Sequence, residues 1–178
     1  MWNHGTLSQK SAWNACRKKR NRMEWVKLVW KYCRLRVSVT MALVLQERNF
    51  SYAHLKRRGI SLASVCHNCF AAEDDNDHLF CSCSFARDVW GGLFDMLQLE
   101  YPAFTALSQL QQWFLHNAST NNMRSKVLRL VFCTAVWKIW GHRNKALHRN
   151  VFSPSVTEIM WDVLHALSIS VEELALLF

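Results

Sequence analysis

Between residues 66 and 83 the chain reads Cys66-His67-Asn68-Cys69, then Glu73-Asp74-Asp75-Asn76-Asp77, then His78-Leu79-Phe80-Cys81-Ser82-Cys83. The order C-x2-C-x8-H-x4-C is a metal-ligand spacing. Two thiolates separated by two residues converge on one ion, and a His and a Cys about one helical turn apart supply a second converging pair. Four protein donors leave no position for water or substrate, so the ion expected is a single structural Zn2+ whose task is folding. Cys66, Cys69, His78 and Cys83 are the preferred set. Cys81, two residues before Cys83, and His67, inside the first knuckle, are the alternatives; Cys81 reads as a small buried residue beside Leu79 and Phe80. The competing bland reading makes all of these thiols unliganded core residues. Glu73, Asp74, Asp75 and Asp77 read as a solvated hairpin tip rather than a magnesium site.

Beyond this stretch the chain offers little chemistry. It has no Gly-rich phosphate loop, no G-x-S-x-G and no framed pair of carboxylates, so no enzyme is expected. Cys16, Cys33 and Cys133 lack partners at ligand spacing. His142, His148 and His165 are isolated, and Trp25, Trp30, Trp90, Trp137 and Trp140 fall at helical spacing beside aliphatics, which favours core packing over base stacking.

Charge is segregated. Residues 1–65 carry a net +12, residues 66–123 a net −6, residues 124–150 a net +7 and residues 151–178 a net −4, together the +9 of the 178-residue chain. Two basic blocks around an acidic one are either two faces of a nucleic-acid groove or charges that neutralise one another on folding. Arg17-Lys18-Lys19-Arg20 with Arg22 has the composition of a nuclear-import or phosphate-contacting tract. No apolar run approaches a signal peptide or a membrane span, so an intracellular location, nuclear if that tract acts as an import signal, is expected and no membrane partner. Seven Cys without a secretory signal read as thiols or ligands before disulfides.

The elements that must position these residues are predominantly helical. Residues 1–24 read as a basic, loosely ordered arm. Trp25, Val29 and Trp30 open a short amphipathic helix, Met41–Gln46 is an apolar run of undecided type, and Tyr52–Arg58 is a helix stopped by Gly59. Helical spacing resumes over Phe85–Leu99 and Leu107–Leu115. The longest periodic stretch, Ser125–Arg149, runs through Leu128, Val131, Ala135, Ile139, His142 and Ala146. Ser153-Pro154 supplies a cap and a first-turn proline for a last helix. The expected fold is mainly α: a small helical domain over 25–99 organised around a Cys3His zinc knuckle loop, then a helical extension over 100–178 with a long basic helix and a C-terminal helix.

Several of these pieces resemble a known family, the zinc-binding domain of reverse transcriptases from plant non-LTR (LINE-type) retrotransposons. Trp25-x4-Trp30 is similar to its opening tryptophan pair and Leu55-Lys56-Arg57-Arg58-Gly59-Ile60 to its L-x-R-R-G-I helix end. Cys66-x2-Cys69, Asp74, His78-Leu79-Phe80, Cys83, Phe85-Ala86-Arg87 and Val89-Trp90 follow in the family's order. Trp137-Lys138-Ile139-Trp140 with Arg143-Asn144 resembles a helix that commonly follows the module. Phe70 stands where the family usually has glycine, and Val39–Gln46 lacks its usual aromatic pair. The resemblance implies a detached or domesticated C-terminal fragment of a retroelement reading frame, without polymerase activity, that assists binding of template nucleic acid.

Two functions of different class follow. In the first, a zinc-stabilised module binds RNA or single-stranded DNA through Arg17, Lys18, Lys19, Arg20, Arg22, Lys56, Arg57, Arg58, Arg143, Lys145 and Arg149, with weak specificity and strong salt dependence. In the second, a zinc-stapled helical scaffold serves protein contacts and its charge blocks pair internally or with a partner. The two part on one geometric point: whether the positives of residues 124–149 fold onto Glu73–Asp77.

Overall fold

A computed structural model describes residues 9–16, 23–30, 33–60, 65–149 and 156–175. Among them the regular structure is helical apart from one isolated antiparallel bridge, Val65 with Glu73. The helices are α1 (Gln9–Cys16), α2 (Val26–Val29), α3 (Leu35–Leu45), α4 (Tyr52–Arg57), α5 (Ser84–Met96), α6 (Leu107–Asn117), α7 (Met123–Arg149) and α8 (Val156–Ala175), with a π-helical turn at His78–Ser82. α1 falls inside the span read as a loosely ordered arm. Its sequence, QKSAWNAC, holds neither Gly nor Pro, so nothing local opposes a helix.

The undecided run Met41–Gln46 is the second half of α3 with its C-cap, Gln46. Val37, Met41 and Val44 recur at helical spacing and are buried, giving one apolar stripe. Ser38, buried with them, donates its hydroxyl to the Val29 carbonyl at 3.0 Å and ties α3 to α2. α2 is only one turn long, so Trp30 leaves the core: it is 47% exposed, against the packing read from its spacing. Trp25 and Trp90 are buried, and Trp137 and Trp140 are half-buried.

α4 begins at Ser51, whose hydroxyl accepts the His54 N–H, and ends at Gly59, φ +71°. The Ile60 N–H reaches back to the Leu55 carbonyl at 3.0 Å and the Gly59 N–H to Lys56 at 2.9 Å, the paired bonds of a left-handed helix stop. α3 and α5 end by the same device with Glu47 (φ +54°) and Gln98 (φ +53°) in the left-handed position.

α7 is the axis of the molecule. Seven consecutive residues, Leu130 to Val136, are buried, so its middle is enclosed on all sides rather than along one stripe. α2, α3, α5, α6, α8 and the π-turn all pack on it. Its start is fixed by Asn122, which accepts the Ser125 N–H at 2.9 Å, and by buried Arg129, which donates to the Ala118 and Thr120 carbonyls at 2.6 and 2.7 Å. One cation of the second basic block therefore closes the α6–α7 turn.

Phe94, Phe104, Trp113 and Phe114 meet edge-on or tilted with ring centroids 4.8–6.3 Å apart, and Phe114 passes the packing on to Phe132 of α7 at 4.8 Å. α8 crosses α5 and α7 and buries Ile159 and Val163. A Cβ at Gly92 of α5 would stand 2.6 Å from Met160 Sδ, so the absent side chain lets α5 and α8 close. The Ser153-Pro154 cap lies outside the described residues. Among those residues no helix is long and apolar enough to cross a membrane.

Candidate metal centre

The knuckle Cys66–Cys69 is a tight turn. The Phe70 N–H donates to the Cys66 carbonyl at 2.8 Å and the Cys66 N–H to the Ala72 carbonyl at 2.8 Å. Phe70 sits at φ +55°, the left-handed region that suits glycine better than a bulky residue. Its exposed ring is held 5.8 Å from that of His67.

The second ligand pair is brought together by the π-turn. The Cys83 N–H donates to the His78 carbonyl at 2.8 Å, a bond spanning five residues instead of four. The turn is anchored at its start and its middle. The Asp75 carboxylate accepts the His78 N–H at 2.7 Å, and the Trp90 indole donates to the Phe80 carbonyl at 2.8 Å. With Leu79, Phe80 and Cys81 fully buried, the turn is part of the core.

Cys66, Cys69, His78 and Cys83 thereby place their Sγ and imidazole atoms within 4.8 Å of one another. Donors around a tetrahedral zinc at the usual bond lengths stand about 3.5–3.8 Å apart, and Cys69 Sγ to His78 Nε2 is 3.1 Å. The donor set fits one zinc ion. His78 Nδ1 lies 3.3 Å from Ser82 Oγ; a proton held there leaves Nε2 free to ligate, the role an outer partner plays at metal sites. Burial lowers the His78 pKa, which keeps the ring in the neutral form a metal requires. The Cys66 thiol hydrogen-bonds the Cys83 sulfur, which raises the pKa of Cys66 and lowers that of Cys83.

Of the alternative ligands, neither joins the group. Cys81 is buried, and that burial pushes its thiol pKa up to about 12. His67 stacks between Tyr52, at 5.3 Å, and Phe70.

The acidic stretch is a solvated tip only in part: Glu73 and Asp77 are exposed and Asp75 is half-buried. Asp74 is fully buried; its Oδ2 accepts the Tyr52 N–H at 2.9 Å and pairs with the guanidinium of Arg143, 69 positions away on α7. Asp77 accepts the Leu107 N–H at 2.8 Å and so starts α6. These carboxylates order the backbone around the metal loop, which is why they recur so densely there. Asn68 in the knuckle meets His142 of α7 at 3.0 Å. Sequence alone gives no role to Ser82 and Asn68 and suggests only a solvated position for Asp75; the one advance signal of all three is their position within a few residues of the ligands.

Arg143 corrects the phosphate-contact assignment. It is 2% exposed, lies between the rings of Tyr52 (4.8 Å) and Trp140 (5.0 Å) and is committed to Asp74. An uncompensated buried carboxylate is costly, so the pair is fixed in place. Lys56, Arg57, Arg58 and Lys145 are exposed, Lys56 standing 3.6 Å from Glu73. Arg17, Lys18, Lys19, Arg20 and Arg22 lie outside the described residues, as does the side chain of Arg149.

Comparison with known proteins agrees with this geometry. No curated protein and no solved structure matches the chain. The Trp137–Asn144 likeness lies beyond the residues matched by a family model. Residues 7–90, which hold all four donors, match the model of the family described as zinc-binding in reverse transcriptase.

Proposed function

We propose that the chain is a non-catalytic, zinc-stabilised helical module that binds RNA or single-stranded DNA. The observation that carries the reading is the Cys3His group itself: four protein donors converging at one point complete a tetrahedron and leave no open position for chemistry. The metal loop then acts on folding, and function falls to the surface that the fold displays. The sequence is basic in two blocks, and the exposed cations Arg34, Arg36, Lys56, Arg57, Arg58 and Lys145 belong to them, which favours a polyanion. The family match, to a zinc-binding domain described from reverse transcriptase, supports the same direction.

An electrophoretic shift assay with single-stranded RNA and DNA at about 50 and 200 mM salt tests this. Retardation that weakens by orders of magnitude at the higher salt is expected. No retardation at low salt would sink the reading.

One observation favours a protein-interaction scaffold instead. Arg143 folds onto Asp74 and Lys56 approaches Glu73, so part of the charge segregation is consumed internally. Lys145 and the α3 cations stay exposed, which keeps nucleic acid the better-supported partner.

A further inference from the structure

α3, α7 and α8 line an open cavity of about 350 Å³, and α3 and α7 line a second of about 540 Å³ that shares Arg36, Trp137 and Lys138 with it. The α7 residues on their walls run from Leu130 to His148. At 1.5 Å per residue the trough is about 27 Å long. Its cations come from separate elements: Arg34 and Arg36 from the start of α3, Lys138 and Lys145 from α7. Asp162 is the one acidic side chain on the walls, and it is engaged by Lys138 at 2.5 Å. Three positive charges remain in excess. Two flat rings lie among them. Trp137 and Trp140 are half-buried, and the Arg143 guanidinium, held by Asp74, lies 5.0 Å from the Trp140 ring centroid and supports that ring.

We infer that this α3–α7–α8 trough is the single-strand nucleic-acid site, with Arg34, Arg36 and Lys145 on phosphates and Trp137 and Trp140 as stacking platforms for bases. The inference rests on the nucleic-acid reading above and gives it a place. A groove that combines backbone-tracking cations with aromatic faces takes any base and reads little sequence. An acidic peptide would use the cations but has no need of two half-buried indole rings on the walls, so the rings decide for nucleic acid. Most of the trough lies on α7 and α8, outside residues 7–90, which assigns the zinc loop a supporting role: it holds Asp74, Asp74 holds Arg143, and Arg143 supports Trp140.

The test measures binding of a fluorescent single-stranded dT 16-mer and of the matching U 16-mer to the full zinc-loaded chain. It compares wild type, R36E/K145E, K56E/R57E and W137L, with circular dichroism of each. All four charge changes fall on exposed side chains, so the variants keep the wild-type helical signal. R36E/K145E weakens binding at least tenfold and lowers the log–log salt slope by about 1.4, the value of two lost single-strand phosphate contacts. K56E/R57E, on α4, changes affinity less than twofold. W137L weakens binding at least fivefold at unchanged salt slope, which separates stacking from charge.

If wild type binds and R36E/K145E binds equally well, the trough is not the site although the chain still binds nucleic acid. If wild type binds neither oligonucleotide, the nucleic-acid reading itself fails and this inference with it. Displacement of the oligonucleotide by equimolar poly-glutamate, with W137L unaffected, overturns the inference in favour of an acidic protein partner.

Discussion

Cys81 and Cys83 stand two residues apart with opposite surroundings. Cys83 faces Cys66, Cys69 and His78, whereas Cys81 points into the core. Replacing Cys83 by Ser removes a thiolate from a four-donor set, and the expected zinc content falls from about one ion per chain to none, because coordination of this kind needs the complete set. Cys81→Ala leaves the zinc content unchanged and costs about 1 kcal/mol of stability from the small void it opens. Atomic emission on purified variants reads both, and zinc loss in Cys81→Ala with retention in Cys83→Ser would reassign the ligand. The same contrast of partner against packing applies to Arg143. Arg143→Met strands the Asp74 carboxylate in the interior and should lower unfolding stability by about 3–5 kcal/mol. Changing both, as Asp74→Leu with Arg143→Met, should recover most of that loss, since an apolar pair of similar volume needs no compensation. Urea denaturation of the two variants measures it; a single variant as stable as wild type would show that the pair holds nothing.

Three helix ends use the left-handed stop, yet only α4 has glycine in it. At the end of α5, Gln98 adopts φ +53° while the Leu99 N–H closes onto the Phe94 carbonyl at 2.9 Å. A residue with a Cβ is strained there by about 1–2 kcal/mol, so Gln98→Gly should raise the melting midpoint by about 2–4 °C after the entropic cost of glycine is counted. Differential scanning calorimetry checks this, and a lower midpoint would mean that the Gln98 side chain makes a contact worth more than the strain. The pattern also explains what sequence could and could not disclose. Gly59 announced the end of α4 because glycine is the residue that position selects, whereas Glu47 and Gln98 gave no such mark. Periodicity exposed α5, α7 and α8, whose apolar faces are broad, and the ligand spacing exposed four donors. The π-turn at His78–Ser82 remained hidden, because one additional residue in a turn alters no composition. Asp74 with Arg143 remained hidden as well: 69 positions separate them, and only the docking of the metal loop on α7 makes them neighbours. Trp30 was misjudged since its spacing continued a helix that the chain ends at Val29.

At the scale of the whole molecule the metal loop is continuous with the core. Leu79, Phe80 and Cys81 of the π-turn are fully buried, the turn packs on α5, α6 and α7, and Asp74 and Asn68 reach α7 by hydrogen bonds. A zinc ion held by the Cys3His group would be tied to all of this: its loss would free the knuckle from the π-turn and so loosen the seats of Trp90 and Arg143 and then the packing of α7. Binding energy of a structural ion is folding energy, so each tenfold rise in free zinc above its dissociation constant should add about 1.4 kcal/mol of stability. A thermal melt followed by circular dichroism at 222 nm in zinc buffers should therefore show a midpoint that climbs by several degrees per decade of free zinc. A chelator should lower the midpoint and part of the helical signal at 25 °C, and zinc should restore both. Acidification should act in the same direction as chelation, because protons compete for the three thiolates and the imidazole. A midpoint indifferent to zinc and chelator alike would reduce the Cys3His group to core packing, and the helices would then stand on their apolar contacts alone.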